Sequence, residues 1–129
     1  MKRVLVHCFD PVNLVLIHDE LSKKHGFDCE IVRGVREAFD RLRAEENLPT
    51  QFDLVITDHV EWRQGCISIT CMLKSWSNYK HIPFFFISID KERFAEEARR
   101  SIQQGSEQAF LLPGEIDRLV ECVNDRLTK

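Results

Sequence analysis

Short apolar runs and helical stripes alternate five times along these 129 residues, and that alternation admits few folds. Arg3 to His7, Cys29 to Val32, Leu54 to Thr57, Pro83 to Ser88 and Gln108 to Leu111 read as strands. Pro83 to Ser88 is apolar almost throughout, as expected of a strand covered on both faces. Strands that alternate with helices pair in parallel, because each crossover has to pass over one face of the sheet and is right-handed. The expectation is α/β: a doubly wound five-stranded parallel sheet with helices on both faces.

The helical segments carry their own start and stop signals. Asp10-Pro11 offers an N-cap followed by proline at the first helical position, and Leu14, Ile17 and Leu21 recur at helical spacing. Lys23-Lys24-His25-Gly26 closes that helix with cations in the last turn and glycine beyond. Val35, Phe39 and Leu42 mark a second helix that ends before Asn47-Leu48-Pro49. A less regular third, through Ile67, Cys71 or Thr70, and Leu73-Lys74, is expected to reach about Tyr79. A charged helix runs from about Lys91 to Gln104 and stops at Gly105. Ile116, Leu119, Val120, Val123 and Leu127 give the last helix a clean apolar stripe.

The length suits a single domain, 1–129, with one core. Hydrophobic residues at 43% and charged residues at 30% are ordinary globular usage. The longest apolar stretches, Leu14 to Ile17 and Ile82 to Ile89, fall well short of a span of about 20 residues. Met1-Lys-Arg leads straight into Val4-Leu-Val without a secretory pattern, so a cytoplasmic location is expected. Five cysteines, at 8, 29, 66, 71 and 122, include no C-x-x-C pair and fit reduced thiols. A net charge of −3 gives no pull towards nucleic acid or an anionic membrane.

In parallel sheets the working crevice lies beyond the strand C-termini, here His7 to Asp10, Thr57 to Val60, Ser88 to Asp90 and Leu111 to Pro113. Asp58 closes the run Phe52-Asp-Leu-Val-Ile-Thr-Asp58 at such an end, so it is either a reacting carboxylate or a loop cap. His7, Cys8 and His59 are soft-metal ligand types, but adjacent side chains on a strand point to opposite faces. Cys66 and Cys71 read as small buried hydrophobes. Trp62 and Trp76 flank the third helix, where an exposed tryptophan could anchor a partner. Asp90 to Arg100 reads as a solvated helix face.

With Asp-Leu-Val-Ile-Thr-Asp58, Ile82-Pro-Phe-Phe-Phe-Ile-Ser88 and Phe110-Leu-Leu-Pro113 in this order, nearly the whole chain resembles a two-component response-regulator receiver domain, a CheY-like module of flavodoxin-like shape. The resemblance implies that Asp58 occupies the place of the phospho-acceptor, fed by a histidine kinase, and Ser88 that of the hydroxyl that senses the phosphate. It implies a Mg²⁺ site in an acid-acid-x-Pro run, matched here by Cys8-Phe9-Asp10-Pro11. Asp10, Asp58 and Val60 are the residues left to hold such an ion. Magnesium takes oxygen ligands and has little use for a thiol or a phenyl ring, so a bound cofactor is not expected.

Further departures point the same way. Leu112 stands where the family has a phosphate-pairing lysine, Ala109 where it has an aromatic switch, and Ile89 where a small residue leaves the acceptor open. The loop after Asp58 lacks Met-Pro and reaches Gly65 one residue early. Phosphoryl transfer depends on a metal and cations against the phosphoryl oxygens, and one lost oxyanion donor costs roughly 3 kcal/mol. The chain is expected to be an atypical, stand-alone, receiver-like signalling module. It would act through protein contacts, with a histidine kinase or another signalling protein as partner and a homodimer left open. Phosphorylation at Asp58 is expected to be impaired or absent. The alternatives are a working acceptor that recruits Asp10 and Glu61 for metal, or a small flavodoxin-like ligand-binding protein or enzyme. The second lacks any Gly-rich phosphate loop or G-x-S-x-G.

Overall fold

Every strand pairing is parallel, and the order is β2-β1-β3-β4-β5, with β1 Arg3–His7, β2 Asp28–Val32, β3 Leu54–Thr57, β4 Phe84–Ser88 and β5 Gln108–Leu111. The computed structural model describes residues 2–45, 51–58, 69, 73–74 and 77–128. Among the described residues four α-helices have both ends defined: α1 Pro11–His18, α2 Val35–Ala44, α3 Phe94–Gln103 and α4 Ile116–Thr128. The doubly wound α/β expectation holds. Most of the stretch read as a third helix lies outside the described residues, but Ser77–Lys80 form a turn, so no helix reaches Tyr79.

The period-2 alternation of the strands sorts their side chains onto two cores. Val4, Val6, Leu54, Ile56, Phe85 and Ile87 pack under Leu14, Ile17 and Leu21 and under the Leu119–Leu127 stripe of α4. Leu5, Val55 and Phe84 pack on the other face with Ala38 and Leu42 of α2 and with Ile69, Leu73 and Tyr79. All five residues of β4 are buried, which is why that run reads as apolar without alternation.

Two helices differ from their sequence reading. α1 begins as expected, Asp10 accepting from the Val12 and Asn13 N–H groups with Pro11 behind it, but Asp19–Lys24 continue it as wider π-type turns. Gly26, at φ +73, then lets the chain reverse. α3 begins at Phe94 rather than Lys91, after a turn over Lys91–Arg93 in which the Asp90 carboxylate accepts from the Glu92 and Arg93 N–H groups, and Ser101 alone on that helix is buried.

At the opposite end of the sheet from the crevice, Arg3 is the hub of a half-buried charge network. Its guanidinium donates to Glu45 at 2.6 and 2.8 Å and to Glu30 at 3.1 Å, and it lies 4.5 Å from the Phe52 ring centroid. Arg41 donates to the same two carboxylates at 2.7, 2.8 and 3.1 Å. Hydrogen bonds from Arg3, then Arg41, hold the Glu45 carboxyl below the usual carboxylate range against the opposing effect of burial. A depressed folded-state pKa contributes stability that is complete above the unfolded value of roughly 4.3 and is lost as pH falls through the lower folded value. Arg3→Met is expected to cost about 2–3 kcal/mol at neutral pH, below the fully buried case because both partners keep some solvent. Urea unfolding at pH 7 and again below pH 4 checks this: the gap from the natural protein narrows in acid.

Candidate functional site

The C-terminal ends of β1, β3 and β4 open onto a crevice of about 210 Å³ lined by Cys8, Phe9, Asp10, Asp58, Ile87, Ser88, Ile89, Asp90 and Glu97. Parallel register brings it together: His7 pairs with Thr57, so the residue after each, Cys8 and Asp58, emerges side by side. The crevice holds Asp58 and Ser88 as the sequence predicts. Asp90 lines it too, as its place among the strand ends implies; Glu97 is the addition, and no cationic side chain is among the described lining residues. A larger hollow, about 480 Å³, lies instead between Leu73–Lys74, Lys80–Phe84, Gly105, Glu107 and Arg126, off the strand C-termini.

Asp58 is held by the backbone of the β1–α1 loop. Its Oδ2 accepts from the Phe9 N–H at 2.8 Å, its Oδ1 lies 3.9 Å from His7 Nδ1, and its side chain is 26% exposed. Arg33 fastens that loop from outside, donating to the Phe9 carbonyl at 3.2 and 3.3 Å with its guanidinium 5.4 Å from the exposed Phe9 ring. Among the described residues the Asp58 carboxylate thus accepts from one backbone N–H.

The residues at the place of the acid pair offer no substitute. Cys8 is buried, and burial, reinforced by the Asp58 charge, pushes its thiol up to about 12. At neutral pH it is a protonated thiol that donates weakly to the Asp10 carbonyl at 3.5 Å. Phe9 turns its ring to solvent, 71% exposed. Asp10 is engaged in the α1 cap, and its other oxygen accepts from the Asn13 side chain at 3.4 Å. Among the described residues no group of three His, Cys, Asp or Glu is placed to hold a metal ion. At the place of the acid pair, Cys8 and Phe9 offer Mg²⁺ no side-chain oxygen and Asp10 is engaged in the cap, so of the described candidates Asp58 alone presents an oxygen outside a cap, too few for an ion that takes six.

His7 and Cys8 part onto different sides of β1, His7 Nδ1 pairing with Thr57 Oγ1 at 2.8 Å while Cys8 faces the crevice. His59, Val60, Glu61, Trp62, Cys66, Cys71 and Trp76, named from the sequence, lie outside the described residues. Cys8, Cys29 and Cys122 are free thiols.

β5 explains the remaining departures. Leu112 is 2% exposed and packs in the core, its N–H extending the ladder to the Ser88 carbonyl at 2.8 Å. Phe110 points into the same core, while Ala109, one residue earlier, faces the other side. Ile89, 53% exposed, stands at the mouth of the crevice.

Glu97 escaped the sequence reading. The Ser88 hydroxyl donates to Glu97 Oε1 at 2.7 Å and accepts from the Asp90 N–H at 3.1 Å. The signal was present: Phe94, Glu97, Ala98 and Ser101 share the i, i+3, i+4, i+7 stripe that a helix turns inward, and a glutamate there is out of place.

Solved structures share this architecture. The receiver domain of a signal transduction histidine kinase from Syntrophus aciditrophicus matches with TM-score 0.76 at 22% identity, over 99% of this chain and 91% of that one. The response regulator TrrA from Thermotoga maritima, in complex with Mg²⁺–BeF, matches with TM-score 0.73 at 21% identity, over 98% and 100%. The chemotaxis response regulator CheY4 of Vibrio cholerae matches with TM-score 0.70 at 18% identity, over 98% and 99%. No family model and no curated protein matches the sequence. The chain has the fold of response-regulator receiver domains. Among the described residues no helix is long and apolar enough to cross a membrane.

Proposed function

We propose that the protein is a receiver-type signalling module that works by contact with partner proteins, and in which Mg²⁺-dependent phosphorylation of Asp58 is impaired or absent. One observation carries the reading. The acceptor position faces a crevice with carboxylates and no cation among its described lining residues, and Leu112, at the lysine's place, is buried in the core. A phosphoryl group gains its transition-state stabilisation from a metal and cationic groups against its oxygens, and the described lining residues supply no such cation. Asp58 then serves as a polar strand end that receives the Phe9 N–H, and information passes through the surface the fold presents. The partner class is a histidine kinase or another phosphorelay protein.

The test is incubation with a small phosphodonor and Mg²⁺ followed by intact mass, beside an ordinary receiver as control. No adduct is expected under conditions that label the control. An added phosphoryl group that disappears in Asp58→Asn would overturn the proposal.

A further inference from the structure

We propose that Glu97 is a built-in carboxylate partner for the Ser88 hydroxyl, a positioning residue that keeps the β4–α3 loop in one arrangement whatever the state of Asp58. The inference deepens the reading above and rests on it in taking this crevice as the signalling site.

Hydrogen-bond capacity is the first argument. A serine hydroxyl has one hydrogen to donate. Ser88 is 7% exposed, and its hydroxyl donates to Glu97 Oε1 at 2.7 Å, an ordinary O–H···O distance. The same hydroxyl oxygen accepts the Asp90 N–H at 3.1 Å. With Glu97 in place the hydroxyl has no hydrogen left for an oxygen arriving at Asp58.

The second argument is mechanical. α3 lies beside β4 and β5 with a single fully buried residue, Ser101, and it carries Ile102 on its exposed side. Little apolar burial fixes its N-terminal half. Among the described residues polar ties join that half to the sheet: Ser88 to Glu97, Asp90 N–H to Ser88, and the Asp90 carboxylate to the Glu92 and Arg93 N–H groups. One hydroxyl is therefore the junction between β4, the loop and α3. Charge adds a third argument, since Glu97 joins Asp10, Asp58 and Asp90 on the same crevice and raises the cost of bringing another anion there.

Amide hydrogen exchange over residues 88–93 tests this in the full chain, comparing the natural protein, Glu97→Ala, Glu97→Gln and Ser88→Ala, each with and without Asp58→Asn. With Glu97 and Ser88 intact, the Asp90 amide should be equally protected whether or not Asp58→Asn is present. Glu97→Ala and Ser88→Ala should each speed exchange there by about tenfold or more, the scale of one hydrogen bond to a charged group. Glu97→Gln, whose carbonyl still accepts, should stay slow. In the Glu97→Ala background the loop should become sensitive to Asp58→Asn. Unchanged β1 and β3 amides show that each variant is folded, and Ser88→Ala breaks the bond from the other side should Glu97→Ala not fold. The inference is overturned if Glu97→Ala and Ser88→Ala leave the Asp90 amide at its natural rate, or if the natural loop already responds to Asp58→Asn. Phosphorylation of Asp58 in the mass assay would instead overturn the proposed function, and the exchange rates report on Glu97 independently of that outcome.

Discussion

Installed together, Cys8→Asp, Phe9→Asp and Leu112→Lys are expected to raise Mg²⁺-dependent labelling of Asp58 from nothing detectable to a stoichiometric adduct. The geometry favours this because Cys8 already emerges beside Asp58 at the crevice, so a carboxylate there places an oxygen ligand next to the acceptor, its burial compensated by the ion it binds. Phe9 already lies in solvent, where an aspartate costs little. Leu112 is the demanding position, since its side chain is in the core and a lysine has to carry its ammonium outward along an apolar stem. Each restored oxyanion partner is worth roughly 10²–10³ in rate, so the triple variant should exceed the natural chain by at least about 10²-fold. Rate of adduct formation by intact mass, with urea unfolding as the folding control, measures it. A folded triple variant that stays unlabelled would show that something other than metal and cation governs this crevice. Adding Glu97→Ala should increase labelling further, because it removes one of the carboxylates.

Phe110→Ala should destabilise the protein by about 3–5 kcal/mol, and Phe110→Leu by much less, because the first leaves a ring-sized cavity where the core is closed. Phe110 is fully buried. It meets the Phe85 ring edge-on at 5.8 Å between centroids, and the Arg118 guanidinium covers it at 5.0 Å. Thermal unfolding should fall by roughly 10 °C or more for the alanine variant. This ring cannot replace the aromatic switch that the resemblance places at Ala109. A strand sends consecutive side chains to opposite faces, so Phe110 could reach the crevice side only by slipping the β5 register that pairs Phe86 with Ala109 and Ile87 with Phe110. Exchange at the Asp90 amide should accordingly be untouched by Phe110→Leu.

The fold was legible because each element carried its signal locally. Asp10-Pro11 states a helix start, Gly105 after the charged helix states its end, and the fully apolar Phe84-Phe85-Phe86-Ile87 can lie only in the middle of a covered sheet. Asp58 and Ser88 were legible as strand-end polar residues, since parallel topology sends all such ends to one side. The departures at Cys8, Phe9 and Leu112 were legible as chemistry, a thiol, a ring and an aliphatic chain at places that call for charge. The π-type turns at Asp19–Lys24 were not, because the apolar spacing of Leu14, Ile17 and Leu21 fits an ordinary helix equally well. Nor was the Arg3 network, whose members at positions 3, 28, 30, 41 and 45 look like scattered surface charges until the sheet brings β1, β2 and α2 together.

The order of residues by itself determined the five strands, their parallel pairing and the absence of acid and lysine side chains from the expected positions, because periodicity and residue chemistry are properties of short stretches of chain. Only the tertiary structure decided which side chains bond across elements: Asp58 with the Phe9 N–H, and Ser88 with Glu97, nine residues further on. Such choices depend on distances of a few tenths of an ångström between elements, and no local pattern encodes them.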